Sequence, residues 1–181
     1  DDVAQIALFG AKVQLNPSTR ANVQAGHEAL LKLVESGNVM YGVNTGFGSL
    51  QNVVLERKDL NKLSRNILVS HSIARGQPMK REYVRAGIAV RINSLAKSLS
   101  GVSLQLVDLL CELLNHDITP VIPDVGSLAC SGDLCFLAHV GLVISKPIDE
   151  EDDHVDNDVI YHGDVMPATV ALALAGLEKI T

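Results

Sequence analysis

Residues 80–114 read KREYVRAGIAVRINSLAKSLSGVSLQLVDLLCELL, and their spacing decides the class of the fold. Val84, Ile88, Ile92, Leu95 and Leu99 recur at three- and four-residue intervals, which predicts a helix over about 80–98 with one apolar stripe. In 104–114, Leu106, Val107, Leu109, Leu110, Leu113 and Leu114 leave little polar face. A helix apolar on most sides belongs in a core. Working outward, Asn16-Pro17 is an N-cap followed by proline at the first helical position, and Gly37 suits the residue just past a helix end. Val23, Leu30, Leu31, Leu33 and Val34 supply the apolar face between them. A further helix is expected over about 60–72. Pro120 and Pro123 force an extended connection, and another helix starts near 131–133 and runs through Leu134, Leu137, Val140 and Val143. Val159-Ile160-Tyr161 reads as a short strand and Pro167 as a helix opening. The fold class is mainly α with small β elements.

At 181 residues the chain is one domain's worth, able to bury roughly 70% of its unfolded surface. A hydrophobic content of 47% excludes global disorder. Charges and prolines interrupt every apolar stretch short of a membrane span, and no signal peptide is expected. The net charge of −6 is local. Asp149, Glu150, Glu151, Asp152, Asp153, Asp156 and Asp158 form one acidic loop over 149–158, and the rest is near neutral. Nucleic-acid binding asks for a basic stripe with stacking aromatics, and neither is present. Cys111, Cys130 and Cys135 are odd in number without framework spacing, which suggests a reducing, cytoplasmic setting.

Two segments do not fit a bland helical domain. Residues 41–48 read YGVNTGFG, where Gly42, Gly46 and Gly48 permit positive φ and close backbone approach to a ligand. No Gly-Lys-Ser/Thr ending follows, so a phosphate loop is excluded. Tyr41 and Asn44 place a proton-transfer group and an amide beside that flexible main chain. Residues 126–139 read GSLACSGDLCFLAH. Ser131 and Asp133 suit a helix start, but a cap does not account for Gly126, Ala129 and Gly132 crowding small residues around one serine. Such residues matter where a glycine nitrogen must reach the carbonyl two residues earlier. Cys135 and His139, four apart, could ligate zinc with Cys130, but no fourth ligand is evident. The acidic loop lacks the central glycine of a calcium loop, so no metal is expected.

These two segments resemble the aromatic amino-acid ammonia-lyase and aminomutase family, which includes histidine ammonia-lyases. The family's Tyr-Gly-x-Asn-Thr-Gly-Phe-Gly loop is matched by residues 41–48, and its Ala-Ser-Gly-Asp-Leu segment by Cys130-Ser131-Gly132-Asp133-Leu134. Its downstream Leu-x-His is matched by Leu137, Ala138 and His139. Cys130, Ala129 and Phe136 stand where the family has alanine, glycine and proline. The resemblance covers nearly the whole chain. It implies the helical N-terminal part of the ammonia-lyase fold, with the family's later catalytic residues lying beyond Thr181.

The resemblance further implies a self-formed methylidene-imidazolone (MIO) group. Gly132 nitrogen would attack the Cys130 carbonyl, and two dehydrations would follow, one of them converting Ser131 into an exocyclic methylidene. Its site at a helix N-terminus stabilises developing negative charge. Tyr41 would serve as acid/base and Asp133 would assist cyclisation. Asn44, Gly48, Ser70 and His71 would contact the substrate. Ser70-His71, within LSRNILVSHSIARGQP (63–78), is similar to the pair in histidine ammonia-lyases. The implied activity is elimination of ammonia from an aromatic L-amino acid, L-histidine to urocanate, in a homotetramer. The alternatives are a tyrosine or phenylalanine lyase or aminomutase, and a catalytically inert helical assembly module.

Overall fold

The computed structural model describes residues 2–46, 49, 51–54, 57–126 and 134–145, with side chains left out of the description at 57–63. In chain order the elements are α1 (Asp2–Phe9), α2 (Pro17–Glu35), α3 (Arg57–His71), β1 (Arg75–Pro78), α4 (Arg81–Leu95), α5 (Leu104–Asn115), β2 (Pro123–Val125) and α6 (Leu134–Ile144). The expected strand at 159–161, the helix at Pro167 and the acidic loop at 149–158 lie outside the described residues.

The ends of α2 follow its sequence signals. Asn16 Oδ1 accepts from Thr19 N–H at 2.8 Å, satisfying one orphan donor of the first turn. At the other end Gly37 takes φ +81°, its N–H donates to Val34 O, and Asn38 N–H donates to Leu33 O. That pair of bonds is a Schellman closure, which requires the left-handed conformation glycine adopts without penalty. Ser103 caps α5 in the same way, accepting from Leu106 N–H at 3.2 Å.

The core forms where the periodicity of α4 and α5 placed it, whereas Leu33 of α2 and Leu134 and Leu137 of α6 stay exposed. Val84, Ile88, Ile92 and Leu95 of α4 join Leu106, Val107, Leu109, Leu110, Leu113 and Leu114 of α5 in one buried cluster. Val23 of α2 and Val140 and Ile144 of α6 belong to the same cluster. Two details differ from expectation. The fourth helix ends at Leu95, because Ser98 turns to φ +61° and its hydroxyl donates to Asn22 O of α2. Leu99 therefore leaves the stripe and is 88% exposed.

Helix α1 and strand β1 carried no sequence signal. An eight-residue helix is marginal alone and needs tertiary support. Fully buried Arg85 of α4 supplies it, donating through Nε and Nη2 to Ile6 O in the last turn of α1. Through Nη1 and Nη2 it also donates to Leu114 O in the last turn of α5. One guanidinium thus caps two helix C-termini, where carbonyls lack partners and the dipole is negative. Asp117, bonded to Arg85 at 3.2 Å and also to Arg81, answers its charge. Strand β1 exists because β2 pairs with it antiparallel, Arg75 opposite Val125 and Pro78 opposite Pro123, across an irregular register.

Thr119 marks a local flaw in this core. Its side chain is fully buried, and its Oγ1 has no hydrogen-bond partner among the described residues. A buried hydroxyl without a partner forfeits its solvation. Thr119→Val keeps the branched shape and removes that cost, so it is expected to stabilise by about 1 kcal/mol. A lower midpoint in thermal or denaturant unfolding would show that the hydroxyl is in fact satisfied.

Candidate active site

The turn at 41–46 follows directly from the end of α2. Val43 and Asn44 N–H groups donate to Met40 O, and Gly42 sits at φ +72°. Asn44 is 7% exposed and braces the turn from within: its Oδ1 accepts from Met40 N–H and its Nδ2 donates to Asn38 O, both at 2.8 Å. Thr45 is fully buried, with its hydroxyl accepting from Gly42 N–H at 3.3 Å and donating to Gly46 O at 2.9 Å. The turn is pinned to residues 53–54 by the Thr45–Val54 bridge and the Gly46 N–H to Val53 O bond. Tyr41, by contrast, is 62% exposed at the turn's surface. A rigid inner side and an outward phenol suit a proton-transfer group that must meet a ligand.

Ser70 and His71 close α3. His71 Nδ1 lies 2.9 Å from Ile67 O, an acceptor only, so Nδ1 carries a proton, and in the neutral ring Nε2 holds the lone pair. Ser70 Oγ donates to Ile67 O and lies 3.1 Å from the same Nδ1. The neutral tautomer so fixed presents Nε2 as an acceptor.

Helix α6 lies against α3. Gly141 lets the two approach, since a Cβ there would come within 2.5 Å of Leu68 Cδ2. Arg65 Nη1 donates to Ser145 Oγ at 3.1 Å. His139 Nε2 accepts from Ala74 N–H at 3.2 Å, and burial holds this imidazole below its ordinary pKa, in the neutral form that can accept. A Cβ on Gly126 would come within 2.9 Å of Ala74 Cα and 2.8 Å of Cys135 Sγ.

Of the candidate residues, Tyr41 and Asn44 share one turn, and Ser70 and His71 share one helix end. Gly48, Cys130, Ser131, Gly132 and Asp133 lie outside the described residues, the last four in the segment joining β2 to α6. Cys111 and Cys135 are buried free thiols. Burial, with Asp108 and Glu112 nearby, pushes the Cys111 thiol up to about 11, which keeps it protonated. Among the described residues no three His, Cys, Asp or Glu side chains converge as a metal site, and no helix is long and apolar enough to cross a membrane. Thr45, Ala74 and the anchoring role of His139 were missed from sequence. A buried hydroxyl in a glycine-rich loop was the available signal for Thr45, and nothing local distinguishes Ala74.

Comparison with known proteins supports the helical fold. A probable histidine ammonia-lyase from Thermoplasma acidophilum is 41% identical over 178 residues, covering 98% of this chain and 34% of that protein. The phenylalanine aminomutase of Pantoea agglomerans superposes with a TM-score of 0.78 at 28% identity, covering 96% of this chain and 31% of that one. The tyrosine aminomutase of Streptomyces globisporus superposes with a TM-score of 0.76 at 30% identity, covering 98% and 32%. The chain thus spans about a third of the length of the relatives it matches. Residues 1–181 match the family described as aromatic amino acid lyase. The chain belongs to the aromatic amino acid lyase family.

Proposed function

We propose that this chain is the MIO-bearing part of a carbon–nitrogen lyase that eliminates ammonia from an aromatic L-amino acid, with L-histidine as substrate. The observation that carries the reading is the family match over the whole of residues 1–181. The residues fit the prosthetic group chemically. Gly132 offers a main-chain nitrogen unhindered by a Cβ, Cys130 a carbonyl, and Ser131 a β-hydroxyl that can leave as water. Cys130 in place of alanine does not interfere, since only its carbonyl enters the ring. The group would supply a soft electrophilic carbon that turns the substrate amine into a leaving group.

The chain's own residues supply the rest. Asp133 assists ring closure. Residues 127–133 lead in the chain into the N-terminal end of α6, whose dipole favours negative charge. Tyr41, outward on its braced turn, moves the proton. Asn44 acts on the substrate through the turn it holds, and Gly48 leaves room for the ligand's approach. Ser70 fixes His71, whose Nε2 lone pair accepts a substrate imidazole N–H. A phenyl ring has no such donor, which argues for histidine over phenylalanine. The active enzyme is a homotetramer, and the free thiols support a cytoplasmic setting.

A substrate panel on the intact protein tests this reading by following unsaturated acid and ammonia. Histidine deamination is expected, and His71→Leu should lower kcat/KM for histidine by about tenfold or more while shifting preference toward phenylalanine. An unchanged preference would defeat the specificity argument. The aminomutase neighbours favour one second reading, in which the amine is returned to the β-carbon. A β-amino acid product in the same panel would select it.

A further inference from the structure

The geometry points to His139 as a positioning residue that locks the Ser70–His71 end of α3 to the helix that follows the Cys130-Ser131-Gly132 segment. This rests on the proposed function for its consequence, though not for its geometry. After α3 the chain runs through residues 72–74 without regular structure, so each main-chain N–H there needs its own acceptor. Ser72 N–H donates to Leu68 O and Ile73 N–H to His71 O, both within the same stretch of chain. Ala74 N–H is different: its acceptor is His139 Nε2, 65 residues away on α6.

The surroundings leave this link little freedom. Ala74 is backed by Gly126 at the end of β2, where even one added methyl would collide with its Cα. Two and six residues beyond His139, the Gly141–Leu68 approach and the Arg65–Ser145 bond hold α3 against α6. Gly126 and α6 flank the segment 127–133 in the chain, so the same imidazole that fixes the exit of α3 also sits on the frame of the electrophile. Among the described residues, the His139–Ala74 bond is the link that ties the chain just after the Ser70–His71 pair to the helix following residues 127–133. Positioning of this kind matters because displacements on the order of 1 Å cost large factors in rate.

The lock needs an acceptor at the reach of Nε2. Gln, whose Oε1 has a similar reach, can replace it, and Leu cannot. The test compares wild type, His139→Leu and His139→Gln in the intact protein. Hydrogen exchange at the Ala74 amide should be about tenfold faster in the Leu variant and close to wild type in the Gln variant. KM for histidine should rise in the Leu variant more than KM for phenylalanine, and Gln should restore the ratio. Equal Ala74 protection in wild type and the Leu variant would overturn the lock, as would a Gln variant that exchanges like Leu. If wild type deaminates no aromatic amino acid, the functional reading fails while the exchange comparison still decides the lock.

Discussion

Ser131→Ala is expected to reduce deamination by about 10³-fold or more while leaving the fold intact. Alanine has no β-hydroxyl to lose, so no methylidene can form from it, and removal of a covalent catalyst costs rate on that scale. The loss should fall on kcat, because Tyr41, His71 and the rest of the binding surface remain. A serine that merely caps α6 predicts something else: about 1 kcal/mol of stability lost and activity retained. Steady-state kinetics beside thermal unfolding of the same variant separates the two.

How far the sequence reaches is uneven for physical reasons. The ends of α2 were legible because Asn16, Pro17 and Gly37 each perform their local function, capping, starting and closing the helix. Helix α5 was legible because its residues leave only a narrow polar face to put in water. Helix α1 was not, since DVAQIALF has no cap signal and is held by a guanidinium 79 residues away. Strand β1 was not, since RGQP has no strand propensity and forms only against β2. At the site, Tyr41 and His71 were identified by chemical type within a recognisable pattern. The engagement of both ends of the Asn44 amide, and the bond from Ala74 to His139, are tertiary facts that no local pattern encodes.

Arg85→Met carries the largest expected cost to the fold. The substitution keeps the unbranched apolar stem but leaves Ile6 O and Leu114 O without their donor and Asp117 without one of its two arginines. Removing one partner from a buried, hydrogen-bonded charge network costs about 3–5 kcal/mol. For a chain of this size that is a fall in Tm of roughly 10 °C. Helix α1 should lose hydrogen-exchange protection first, since its closure depends on this side chain. A Tm within a degree or two of wild type would mean that the two helix ends find other donors. Arg81→Met is the control, because Arg81 meets Asp117 at the surface and should cost about 1 kcal/mol or less.

The central claim is that residues 130–132 convert themselves into an electrophile, and mass spectrometry tests it most directly. The measurement is the intact mass of the protein with peptide mapping across Val125 to His139. A deficit of two waters confined to Cys130-Ser131-Gly132, and absent from Ser131→Ala, is the predicted result. An unmodified Cys-Ser-Gly in the intact protein would contradict the account.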